Sequence, residues 1–152
     1  MGADARVAEL KLVFPEPPKP MATYQPVVIV HDMAYVSGHG PVKADGSLIT
    51  GRLGADLSEA EGVEAARVVG LAILANLQKH LGSLDRVTRL VKVLGMVNCT
   101  PDFTRQPAVI NGFSDLMVEV FGESGRGARS AVGMMLPQNI AVEIEAIFQI
   151  RD

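Results

Sequence analysis

Tryptophan is missing from this 152-residue sequence, and Cys99 is its single cysteine. One thiol cannot make an internal disulfide, so a hydrophobic core must hold the fold, and a reducing, cytoplasmic setting is expected. The three histidines, His31, His39 and His80, have no metal-ligand spacing, and no metal site is expected. No apolar run approaches the roughly 18 residues of a membrane span. The first residues, Met-Gly-Ala-Asp-Ala-Arg, lack the basic and apolar regions of a secretory signal. Lys and Arg nowhere cluster, and the formal charge of -3 gives nucleic acid no electrostatic footprint. Neither Gly51-Arg-Leu-Gly54 nor Gly122-Glu-Ser-Gly125 ends in the Gly-Lys-Ser/Thr of a phosphate loop. Ser130 has no His and Asp pattern around it that would suggest a hydrolase triad.

What the sequence does have is 48% hydrophobic residues, enough for one domain with a sizeable core. Four prolines between Phe14 and Met21 predict an extended connector, which divides the chain into a lead-in over 1–21 and a domain over 22–152. Val27–Val30 and Ala34–Ser37 read as strands joined by a turn at His31-Asp32-Met33, and Ser47–Thr50 as a short strand. Ser58-Glu-Ala-Glu61 is a capping box that starts a helix, and Gly82 is placed to stop it. Arg89–Val97 reads as an interior strand and Pro107–Phe121 as a second helix. Gly112 inside that helix costs roughly 1 kcal/mol relative to Ala, which predicts close approach to another backbone. The order β-β-(β)-α-β-α-β-β implies an α+β domain in which two amphipathic helices cover one face of a mixed sheet.

The last strand alternates strictly. Ile140, Val142, Ile144, Ala146, Phe148 and Ile150 share a core face, while Ala141, Glu143, Glu145, Ile147 and Gln149 point the other way. With Pro137-Gln138-Asn139 as a hairpin turn, Arg129, Ala131 and Gly133 would join Glu143 and Glu145 on that second face. A sheet face that mixes Ala, Ile and acids is expected to pack against another subunit.

In this order the chain resembles the YjgF/RidA (Rid, endoribonuclease L-PSP) family, from Tyr24 to Arg151. The resemblance rests on Tyr24-Gln-Pro, Ala34-Tyr-Val-Ser-Gly-His-Gly-Pro41, Asn111, Gly127-Ala-Arg-Ser-Ala-Val132, and Leu136-Pro with Val142-Glu-Ile-Glu-Ala146. It implies a chorismate-mutase-like fold, a homotrimer with a central sheet barrel, and clefts between subunits. It also implies cofactor-free hydrolysis of imines and enamines such as 2-aminoacrylate to 2-oxo acids and ammonia.

By the same resemblance, Arg129 grips the substrate carboxylate and Glu143 positions or activates water. Tyr24, Ser37, Gly38, His39, Asn111 and Ala131 line the cleft. The guanidinium suits its role because it offers two parallel donors and stays charged. Ala131 stands where many members have cysteine, and His39 where glutamine is usual, which marks a divergent subgroup. The residues alone also admit plainer readings: Arg129 in an interface ion pair, Tyr24 in packing, Asn111 as a loop cap, His39 as structural, Glu145 as a surface acid. The alternative function is a non-catalytic trimer that binds small carboxylate metabolites or a regulatory protein.

Overall fold

The computed structural model describes residues 1–20 and 22–152. A short helix α1 (Ala3–Glu9) precedes β1 (Val27–Val30), β2 (Met33–His39), α2 (Glu59–Leu81), β3 (Val87–Asn98), α3 (Gln106–Phe121), β4 (Ala128–Met134) and β5 (Val142–Ile150). The strands form one mixed sheet in the order β1-β2-β5-β3-β4, antiparallel except for the β3–β4 pair. Both long helices lie on one face of it, as the periodicity predicts.

The capping box forms as expected: Glu61 N donates to Ser58 Oγ at 3.2 Å, and Ser58 N donates to Glu61 Oε2 at 2.7 Å. Gly82 closes α2 in the left-handed conformation. Between the helices and the sheet lie Ile73, Leu74, Leu77, Ile110, Phe113, Ile144 and Phe148, all fully buried. Each such side chain contributes about 1.5–3 kcal/mol through burial. Gly112 has the role its position suggested, since a Cβ there would stand 2.0 Å from the Val63 carbonyl oxygen on α2. The same helix pair is joined by Arg67, whose guanidinium donates to both Glu119 carboxylate oxygens at 3.2 and 3.1 Å.

Two expectations need correction. First, β4 and β5 do not form a hairpin. Strand β3 lies between them, and β4 runs parallel to it. The Pro137–Asn139 segment is a 3-10 turn with Gln138 and Asn139 at positive φ, and it sends the chain across the sheet instead of back along β4. Second, Ser47–Thr50 makes only isolated bridges, Val42 to Leu48 and Thr50 to Ile140, and is not a strand of the sheet. Within the lead-in, α1 is docked on the domain. Asp4 accepts from Ser83 Oγ at 2.6 Å and Leu84 N at 3.1 Å, while its own N–H donates to Asp85 Oδ1 at 3.0 Å. No helix of the described residues is long and apolar enough to cross a membrane.

Candidate functional site

The expected site residues fall into two groups. The first surrounds a β-bulge in β2. Val36 pairs with Ala146, and the next pairing is His39 with Ile144, so Ser37 and Gly38 together oppose Glu145. The extra residue turns His39 to the helix-covered side, beside buried Ile144. Ser37 N donates to Pro26 O at 2.9 Å and Ser37 Oγ to Gln25 O at 2.6 Å, which ties the Tyr24-Gln25-Pro26 segment to the bulge.

Gly38 is required by close approach. A Cβ there would lie 2.5 Å from Glu143 Oε2, so the carboxyl group rests directly on the glycine. Half-buried in this position, the Glu143 carboxyl is raised above the ordinary carboxylate range by desolvation, reinforced by the charge of Glu145. No hydrogen bond reaches it from the described residues. Behind the bulge, a cavity of about 100 Å³ is bounded by Pro18, Tyr24, Pro26, Gly38, His39 and Asn76.

The second group centres on Arg129. Its Nη1 donates to Asn111 Oδ1 at 2.8 Å and Ser114 Oγ at 3.1 Å, and its Nη2 to Pro107 O at 3.4 Å. All three acceptors are neutral, so the charge has no carboxylate partner among the described residues. Three of the five donors are engaged, leaving the edge formed by Nε and Nη2 with two N–H groups, the number a carboxylate takes in a bidentate contact. A cleft of about 250 Å³ beside it is lined by Leu90, Val93, Asn111, Ser114, Arg126 and Arg129. Ala131 pairs with Gly95 on β3 and packs against the core.

The shared-face expectation fails here. Arg129 pairs with Val93, which in turn pairs with Ala146, and both lie on the helix-covered side. Glu143 pairs with Met96, which pairs with Val132, on the opposite face. The two residues are therefore two strands and three positions apart, about 10 Å in each direction, with the sheet between them. Asn111 lines the cleft beside Arg129 and also holds its guanidinium.

Two residues escaped the sequence reading. Ser114 could have been found, since it lies three positions after Asn111 and so on the same helix face. Asn76 is 2% exposed inside the apolar stripe of α2, and a polar residue in such a stripe is itself a signal. A larger groove of about 520 Å³ runs beside α1 and contains none of the expected site residues.

The open face of the sheet is apolar in large part. Val28, Tyr35 and Ile147 form one cross-strand row, and Val132 and Met134 line β4 beyond them. Tyr35 is 44% and Val132 37% exposed. Exposed apolar surface of this extent on a sheet marks an interaction face.

The chain is similar to Protein TCP17 of Trypanosoma cruzi, with 41% identity over 97% of this chain and 94% of that one. Among solved structures, a protein of unknown function from Agrobacterium tumefaciens, Atu1372, is 39% identical. It aligns with a TM-score of 0.89 over 99% of this chain and 94% of its own. A structure from Shewanella oneidensis MR-1 is 29% identical, with a TM-score of 0.93 over 99% of this chain and 100% of its own. The family model described as "YjgF/chorismate mutase-like, putative endoribonuclease" matches residues 4–145, with the bulge, Arg129 and Glu143 all inside that span, and the chain belongs to this family.

Proposed function

We propose that the protein hydrolyses small carboxylate-bearing imines and enamines, of the 2-aminoacrylate type, at clefts between the subunits of a homotrimer. Arg129 of one subunit holds the substrate carboxylate. An enamine first becomes the imine by moving a proton from nitrogen to its terminal carbon. Glu143 of the next subunit then accepts a proton from water as the oxygen adds to the imine carbon, and returns it to the nitrogen. The resulting amino alcohol collapses, the nitrogen leaves as ammonia, and a 2-oxo acid remains. Water supplies the oxygen, and no redox partner is needed.

The observation that carries this reading is the pairing of an unneutralised guanidinium with an unpartnered, half-buried carboxyl on opposite faces of one sheet. One chain cannot bring them to a single substrate, whereas apposition of the open face with a second copy supplies the missing half. A carboxyl whose pKa is raised by desolvation is also a better proton acceptor than a solvated one. Because Ala131 provides no thiol, water is the nucleophile. The endoribonuclease description of the family fits this chain poorly, given its acidic balance and lack of a basic patch.

The test is ammonia release from 2-aminoacrylate generated in situ by a dehydratase, with the mass in solution measured by light scattering. Acceleration by the wild type, lost in Arg129→Ala while the trimer persists, supports the reading. Absence of acceleration by the wild type overturns it. Retention of 2-oxo acid binding in that case would leave a carboxylate binder without turnover.

A further inference from the structure

His39 makes two short contacts, and together they fix its chemical state. Its Nδ1 is 2.6 Å from the Ser37 carbonyl oxygen, and its Nε2 is 2.8 Å from Asn76 Nδ2 on α2. A carbonyl can only accept, so Nδ1 carries the proton. In the neutral ring Nε2 is then an acceptor, and Asn76 must present its amide N–H to it. The ring thus spans the gap between a buried helix residue and the carbonyl of the bulge. Ser37 in turn holds Gln25 and Pro26, and Gly38, next along, is the surface on which the Glu143 carboxyl rests.

Taking the proposed function as its basis, we infer that His39 is a positioning residue: through Asn76 and the Ser37 carbonyl it fixes the Ser37-Gly38 bulge that sets the position of the Glu143 carboxyl. Both ring nitrogens are engaged inside the chain, so His39 itself transfers no proton to substrate. The demand on it is a donor and an acceptor at opposite ends of a rigid spacer. Glutamine can supply the same pair, asparagine reaches only the Ser37 carbonyl, and alanine reaches neither. The contribution belongs to the geometry of the reacting carboxyl and not to substrate affinity, since the carboxylate anchor lies in the other half of the site.

The experiment is the series His39→Gln, His39→Asn and His39→Ala, assayed for ammonia release, with ring-nitrogen NMR of His39 in the wild type. Asn and Ala should lower kcat by roughly ten- to a hundredfold, the scale of a misplaced reacting group, with KM little changed. Gln should restore most of it. The NMR spectrum should show a neutral ring protonated on Nδ1 at pH 7. A ring protonated on Nε2, a loss that falls on KM alone, or a Gln variant as impaired as Asn would overturn the inference. If Ala does not fold, the Gln and Asn pair decides. The NMR reading needs no turnover, so an inactive wild type would sink the proposed function while the ring state still tests the bridge.

Discussion

Arg129 and Glu143 lie on opposite faces of the same sheet, with β3 between their strands. Any small ligand that touches both must therefore touch two chains. A sharp consequence is complementation. Arg129→Ala and Glu143→Gln should each be inactive alone. Refolded together at equal concentrations, they should recover about one quarter of wild-type activity, because a cleft needs Arg129 from one chain and Glu143 from its neighbour. Mixed trimers with no recovered activity would place the two groups in separate functions.

In the proposed trimer, the central row of the open face lies at the subunit contact. Ile147 lies between Tyr35 and Lys92 in that row. Ile147→Asp should leave the monomer folded, with Lys92 beside the new charge, and should remove the trimer by placing charge where an apolar side chain would be buried at its centre. Circular dichroism close to wild type with a monomeric mass in light scattering is the expected result, and activity should vanish with the trimer. A trimeric Ile147→Asp would show that some other surface joins the subunits.

The elements were largely legible from the sequence because each is fixed by local chemistry. Ser58 and Glu61 mark a helix start through contacts three residues apart, and the alternation from Val142 to Ile150 sets one face of β5 regardless of its neighbours. Strand order was not legible in that way. Proximity in sequence favoured a hairpin around Pro137, whereas the intervening place in the sheet is taken by β3, some 40 residues earlier. Pairing with β3 in parallel shifted Arg129 to the other face, since a change of register by one residue inverts a strand. The grouping of the expected site residues thus depended on a long-range pairing that no local pattern encodes. His39 shows the same limit: its destination is set by a bulge, visible only once β2 and β5 are paired.

At the crossing of α2 and α3, Gly112 faces the backbone of Val63 and Arg67. Gly112→Ala gains helix propensity of up to about 1 kcal/mol, yet the new Cβ meets backbone atoms that cannot rotate away. The helices must separate, and overpacking of this kind costs about 1–3 kcal/mol. The clash should win. Thermal unfolding should shift down by roughly 2–4 °C per kcal/mol for a chain of this size. A Tm equal to or above that of the wild type would mean that the helix pair has slack at its closest point.

The two perturbed groups of the first half-site pull the pH dependence of stability in opposite directions. Burial holds the His39 pKa below its ordinary value of about 6.5, against the hydrogen bond to Ser37 and with a further push from His80. The unfolded chain then binds the proton more readily, so this contribution is fully present above pH 6.5 and is lost as pH falls through 6.5 toward the folded value. For Glu143 the shift is upward, so the folded chain binds the proton more readily. Its contribution is full below the ordinary value of about 4.3 and is lost as pH rises through the raised folded value. Glu143→Gln should therefore raise Tm at pH 7 relative to wild type and make no difference near pH 4. His39→Gln should flatten the fall in Tm between pH 7 and pH 5.5. The groups able to distort these slopes are His80 on α2, Lys19 at the cavity wall and Glu145 beside Glu143. Of these, only His80 is a second imidazole. Repeating the series in a His80→Gln background separates the two imidazoles, and a wild-type slope that disappears with His80 alone would assign the effect to the wrong ring.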